Sequence, residues 1–155
     1  LLRRDVVPFC KQEMAGKPLL GALLANAGTI FVDRDAPDQS AVLQAAQAVL
    51  ADGRSLVIAP EGTRSASGAL QPFRHGAFFL AKKARVPIVP IVLHNVHDAL
   101  PKGGLLLRPA TVRVSVLPPV AHDAERNVRG LCAQVEGAYR SRLGQPHRPQ
   151  LASAG

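Results

Sequence analysis

The sequence predicts an α/β domain with a mostly parallel central sheet flanked by helices. Short β-branched or apolar runs alternate along the chain with segments of helical period, the pattern of an α/β domain. The most strand-like run, Leu56-Val57-Ile58-Ala59, stops at Pro60 and opens into Glu61-Gly62-Thr63-Arg64. Proline cannot donate to a further rung, so the chain leaves the sheet there, and open α/β sheets bind ligands outside the carboxyl ends of their strands. Size agrees with this reading: 155 residues with 47% hydrophobic composition can bury one real core.

In chain order, residues 6–9 read as a short strand and 11–16 as a polar loop. Pro18 opens a helix through Ala27, with Leu19, Leu20, Leu23 and Leu24 on one side and Gly28 past its end. Those leucines fit a core face better than a membrane contact. Residues 29–33 form a second strand. Asp38 or Ser40 caps a helix to about Ala51, with Val42, Ala46, Val49 and Leu50 on one face and Gly53 as terminator. After the strand at 56–59 come a short helix at 75–84 carrying Phe78, Phe79 and Leu80, and a strand at 88–93. In the strand at 111–117, Val112, Val114 and Val116 alternate with polar residues. A last helix, 124–143, sets Val128, Leu131, Val135 and Tyr139 on one stripe. Residues 1–144 thus make one domain, and 145–155 read as a tail.

The net charge of +8 calls for an anionic partner or a basic solvated surface. Aromatics are only 4% and the basic residues are scattered, which argues against nucleic acid and for anionic lipid or a small anionic substrate. The longest apolar run, around 18–32, is interrupted by Gly21, Asn26 and Gly28 and is too short to cross a bilayer. Cys10 and Cys132 lack metal-ligand spacing and read as idle thiols of a reducing compartment.

The chemistry concentrates in residues 55–76, SLVIAPEGTRSASGALQPFRHG. Gly62 permits a positive φ or close approach to a ligand, and Arg64 offers a planar fork of donors suited to phosphate. Pro-Glu-Gly-Thr is equally a plain turn by local chemistry alone. Ala59-Pro60-Glu61-Gly62-Thr63-Arg64-Ser65, however, resembles the third sequence block of the glycerolipid acyltransferases typified by lysophosphatidate acyltransferase. Gly28-Thr29-Ile30-Phe31-Val32-Asp33-Arg34 resembles their second block and Val86-Pro87-Ile88-Val89-Pro90-Ile91 their fourth, in the same order. The resemblance covers roughly residues 6–120.

That resemblance implies a mixed, mostly parallel sheet of the glycerol-phosphate acyltransferase type. It also implies transfer of a fatty acyl group from acyl-CoA or acyl carrier protein to a lysophospholipid hydroxyl in phospholipid biosynthesis. The expected setting is the cytoplasmic face of a membrane, with no cofactor beyond the co-substrate, no metal and no nucleic acid. Arg34, Glu61, Gly62, Thr63, Arg64 and Arg74 match the acceptor and phosphate positions, Arg74 within Phe73-Arg74-His75-Gly76. For each arginine the ordinary alternative is a surface pairing with Asp33, Asp35 or Asp52. The fourth block reads mainly as core.

The family's general base is a histidine in His-x-x-x-x-Asp, and no histidine of this chain has that spacing. His94 and Asp98 come nearest, one residue too close. The dyad is expected upstream of Leu1; the alternatives are a non-catalytic phosphate- or lipid-binding relative and a substitute base among His75, His94 and His97. Without an upstream segment, apolar surface is expected to lie open on the helix at 18–27 and the strand at 6–9.

Overall fold

The computed structural model describes residues 5–33, 36, 38–63, 65, 67–99 and 108–145. Where the sequence reads as one domain through residue 144, the described residues form two compact units that divide between Ala59 and Pro60.

The first unit is a parallel sheet in the order β2-β1-β3, built from β1 (Val6–Lys11), β2 (Ile30–Val32) and β3 (Ser55–Val57). β1 pairs with β3 through Val6↔Ser55 to Pro8↔Val57 and with β2 through Phe9↔Ile30 to Lys11↔Val32. Pro8 therefore stands where the pairing passes from one neighbour to the other, and its missing N–H costs the central strand little. Val7 is wholly buried. Helix α2 (Ser40–Ala51) packs on β2 and β3 and buries Ala46 completely. The Asp38 carboxylate accepts the Ser40 amide at 2.8 Å and its hydroxyl at 2.9 Å at the start of α2.

Helix α1 (Leu20–Asn26) begins two residues later than proline placement predicts, because Leu19 stands at φ 60°, outside helical geometry. Only Gly21 of this helix is buried: a Cβ there would drive into the Ala15 carbonyl, so glycine is what lets the helix lie on the 3-10 turn at Gln12–Met14. The leucine face is open, with Leu19 88% and Leu23 64% exposed. The expected uncovered apolar surface is present on α1 and not on β1, which lies in the middle of its sheet.

The second unit packs α3 (Gly76–Ala84) and an antiparallel pair, β4 (Ile91–His94) with β5 (Arg113–Val116), against α5 (Val128–Leu143); the single turn α4 (Val96–Ala99) follows β4. Its core is Leu70, Phe73, Phe78, Leu131, Cys132 and Val135. The predicted stripe of α5 faces this core, with Val128 and Tyr139 packed against it. Tyr139 Oη donates to the Ile91 carbonyl at 2.8 Å and accepts the Ile91 amide at 3.2 Å, pinning α5 to β4.

Three expectations are corrected here. Helix α5 starts at Val128, not near 124, because Asn127 caps it by accepting the Gly130 amide at 2.7 Å. The carbonyls of Asp123, Ala124 and Arg126 are instead taken by Lys82 Nζ. On β5 the alternation is inverted: Val114 and Val116 are exposed and Ser115 is buried, its hydroxyl bonded to His94 Nε2 and Arg142 Nε, each at 3.1 Å. In the fourth block Pro90 is fully buried while Val89 is exposed, so the block is core only in part. Of the expected tail, Gln145 is tied down by its own bonds, and the rest lies outside the described residues.

Both cysteines are free thiols, Cys10 half-buried and Cys132 buried. Burial, with the Glu136 charge adding to it, pushes the Cys132 thiol up to about 11. Thiolate is the reactive form. Thiol titration of the folded chain at neutral pH is expected to find Cys10 reactive and Cys132 reactive only after denaturation. Two fast thiols in the folded chain would contradict this packing.

Candidate functional site

The loop carrying the third block runs from Pro60 to Arg74 and is closed at its base, where the Arg74 amide donates to the Pro60 carbonyl at 2.8 Å. Glu61 braces it across the middle: half-buried, it accepts the Gln71 amide on Oε2 at 2.7 Å. Burial pushes the Glu61 carboxyl up from its ordinary range. The Gln71 amide and the Arg140 guanidinium pull it back down, and Glu136 pushes it up again. Gly62 is buried at φ 71°, a conformation that favours glycine and turns the chain outward immediately after Glu61. Thr63 is exposed. Two serine hydroxyls shape the outer part, Ser65 accepting the Ser67 amide at 3.3 Å and Ser67 the Ala69 amide at 3.4 Å.

At the exit, Phe73 and Arg74 divide their work. Phe73 is buried, stacked at 6.1 Å from Phe78 and edge-on at 5.1 Å to Tyr139. Arg74 is exposed beside this anchor, two residues before α3 begins. The amino end of a helix presents unpaired N–H groups and positive partial charge, so a basic side chain there joins a field that favours anions. Arg34 and Arg64 lie outside the described residues. The structure thus brings Glu61, Gly62, Thr63 and Arg74 into one closed loop.

Beneath this loop lies a feature that sequence reasoning missed. Glu136 and Arg140 of α5 are buried, at 9% and 5% exposure. Arg140 donates to Glu136 Oε1 from Nη2 at 2.7 Å and from Nε at 3.1 Å. Little in the sequence signals it: at 3.6 residues per turn, the two opposite charges, four residues apart, fall just beyond the Cys132 edge of the apolar arc that Leu131, Cys132, Val135 and Tyr139 trace round the helix.

The histidines are placed otherwise than a general base requires. His75 is exposed at the start of α3, His94 is bonded to buried Ser115, and His97 Nδ1 is buried without a partner among the described residues. A separate open groove of about 750 Å³ runs along α5 past Pro118, Pro119, His122 and Arg142, and none of the predicted site residues lines it. Among the described residues no group of three His, Cys, Asp or Glu is placed to hold a metal ion, and no helix is long and apolar enough to cross a membrane.

The family model described as acyltransferase matches residues 1–94, more than half of the chain. This chain belongs to the acyltransferase family. The match takes in all three recognised blocks and ends at the last residue of β4. Among similar members, the 1-acyl-sn-glycerol-3-phosphate acyltransferase of Cocos nucifera is 34% identical over 156 residues, spanning 98% of this chain and 51% of that protein. The 1-acyl-sn-glycerol-3-phosphate acyltransferase alpha of Homo sapiens is 38% identical over 116 residues, 74% of this chain and 41% of that protein. This acyltransferase chain spans about half the length of the relatives it matches. The crystal structure of the 1-acyl-sn-glycerophosphate acyltransferase PlsC from Thermotoga maritima has the same fold, with a TM-score of 0.75 at 21% identity over 96% of this chain and 70% of that one. The expected α/β fold with parallel strands flanked by helices is therefore borne out.

Proposed function

We propose that this chain is the acceptor-binding part of a 1-acylglycerol-3-phosphate O-acyltransferase of phospholipid biosynthesis. The acceptor is lysophosphatidate or a related lyso-lipid, and the donor is acyl-CoA or acyl carrier protein. Arg34, Arg64 and Arg74 serve the acceptor phosphate, and Glu61, Gly62 and Thr63 shape the loop whose sequence carries Arg64 and Arg74. A histidine held by an aspartate, supplied from outside these 155 residues, takes the proton from the acceptor hydroxyl as that oxygen attacks the thioester carbonyl. The thiol leaves with a proton and the ester remains on the glycerol. The reaction needs no cofactor besides the acyl thioester and no metal, and the protein works at the cytoplasmic face of a membrane.

The observation that carries this reading is the closed Pro60–Arg74 loop, which sets an exposed arginine beside the amino end of α3 and keeps the acid of its outgoing limb, Glu61, bonded to the Gln71 amide. A second reading, a non-catalytic relative that binds phosphate or lipid, is favoured by the absence of His-x-x-x-x-Asp from the chain.

The two separate in a protein where the chain is preceded by a segment bearing that dyad. Lysophosphatidate is expected to be acylated there, and a monoacylglycerol of the same chain length about 10- to 150-fold less efficiently, the worth of one charge-assisted bond to phosphate. Equal use of both acceptors removes the phosphate site. Binding of lysophosphatidate without turnover leaves the non-catalytic reading.

A further inference from the structure

We infer that the buried Glu136–Arg140 pair and Gln145 form a brace that positions the Pro60–Arg74 loop from below, making them positioning residues for the acceptor site. The inference rests on the acceptor reading of that loop.

Its geometry lies in the returning limb of the loop. Between Leu70 and Phe73 the backbone has three N–H groups, since Pro72 has none, and each donates to a side chain. Leu70 donates to Gln145 Oε1 at 2.9 Å, Gln71 to Glu61 Oε2 at 2.7 Å, and Phe73 to Glu136 Oε2 at 3.4 Å. A limb held this way has its position set by the acceptors. Glu61 belongs to the outgoing limb, so its bond ties the two limbs together. Glu136 and Gln145 belong to α5 and the residue following its αL cap, Gly144, so their bonds tie both limbs to the core.

Arg140 is what allows Glu136 to stand there. A buried carboxylate without a partner is costly, and the two guanidinium bonds to Oε1 leave Oε2 free to accept the Phe73 amide. Both charges also act on Glu61, in opposite senses. Fold stability alone does not call for such a pair, because well-packed apolar residues in place of a buried ion pair are often as stable or more so. Apolar replacements could not accept the Phe73 amide. Glu136, Arg140 and Gln145 all lie beyond residues 1–94, which match the family model.

The test is the double variant Glu136→Leu/Arg140→Met, which removes both charges together and so leaves neither one buried alone. A second variant, Gln145→Ala, changes only a half-exposed side chain. Amide exchange is read on the 155-residue chain, and acceptor and donor half-saturation on the active protein with its dyad segment. The double variant is expected to keep its thermal midpoint and the protection of α5 amides. Gln71 and Phe73 amides should exchange at least about tenfold faster, and acceptor KM should rise about tenfold with kcat and donor KM unmoved. Gln145→Ala is expected to release the Leu70 amide in the same way. Unchanged protection of these amides in both variants overturns the brace. Faster exchange with unmoved acceptor KM upholds the brace and overturns the acceptor reading of the loop.

Discussion

Assayed as its 155 residues alone with lysophosphatidate and acyl-CoA, this chain is expected to form no phosphatidate above the no-enzyme control. A hydroxyl is a weak nucleophile at neutral pH, and a positioned general base is worth about 10²- to 10⁴-fold. None of the five histidines is followed by aspartate at the family's spacing. Of the three candidate substitutes, His75 is exposed with no side-chain cap bond, His94 is bonded to a buried serine, and the buried Nδ1 of His97 has no hydrogen-bond partner among the described residues. Placing a segment with His-x-x-x-x-Asp before Leu1 should restore transfer by that same factor, and changing its histidine to alanine should remove it again. Turnover by the chain alone would revive a substitute base and overturn the assignment of the dyad to a segment outside it.

In that active protein, Arg64→Ala is expected to raise acceptor half-saturation about 10- to 150-fold, the equivalent of a charge-assisted bond of roughly 1.5–3 kcal/mol. Donor half-saturation should stay where it is. Arg64→Lys is the sharper probe, because lysine keeps the charge and loses the planar fork, and a bidentate site still suffers. Arg34→Lys and Arg74→Lys complete the series. Arg74 has the clearest structural warrant, since its neighbour Phe73 is locked between two rings while the guanidinium remains exposed beside α3. An arginine that is merely solvated tolerates either change within a few tenths of a kcal/mol. If all three lysine variants leave the acceptor half-saturation point unmoved, there is no phosphate pocket at this loop.

The elements themselves were legible because each is written in local chemistry. The strand read at 56–59 from its apolar and β-branched run is present at Ser55–Val57, ending two residues before that run does, and α2 is announced by its periodic face between an Asp38 turn and Gly53. The errors fall where contacts distant in sequence outweigh that chemistry. Val114 and Val116 point outward because Ser115 has two partners, His94 and Arg142, that no local pattern shows. Helix α5 loses its expected first turn because Lys82, from α3, takes the carbonyls that turn would need.

For the site, the residue types and their order were enough to single out Glu61, Gly62, Thr63 and Arg74, since a glycine at a strand exit and an arginine beside an aromatic anchor carry their meaning in the sequence. What Glu61 does was decided by the tertiary structure, which turns its carboxylate inward onto the Gln71 amide. The same holds for Glu136 and Arg140: in sequence they are an ordinary i, i+4 pair, worth a few tenths of a kcal/mol on a solvated helix face. Burial under the loop changes their cost and their use, because a charge withdrawn from water must find its partners in the fold, and among the described residues those partners include each other and the Phe73 amide 63 residues away along the chain.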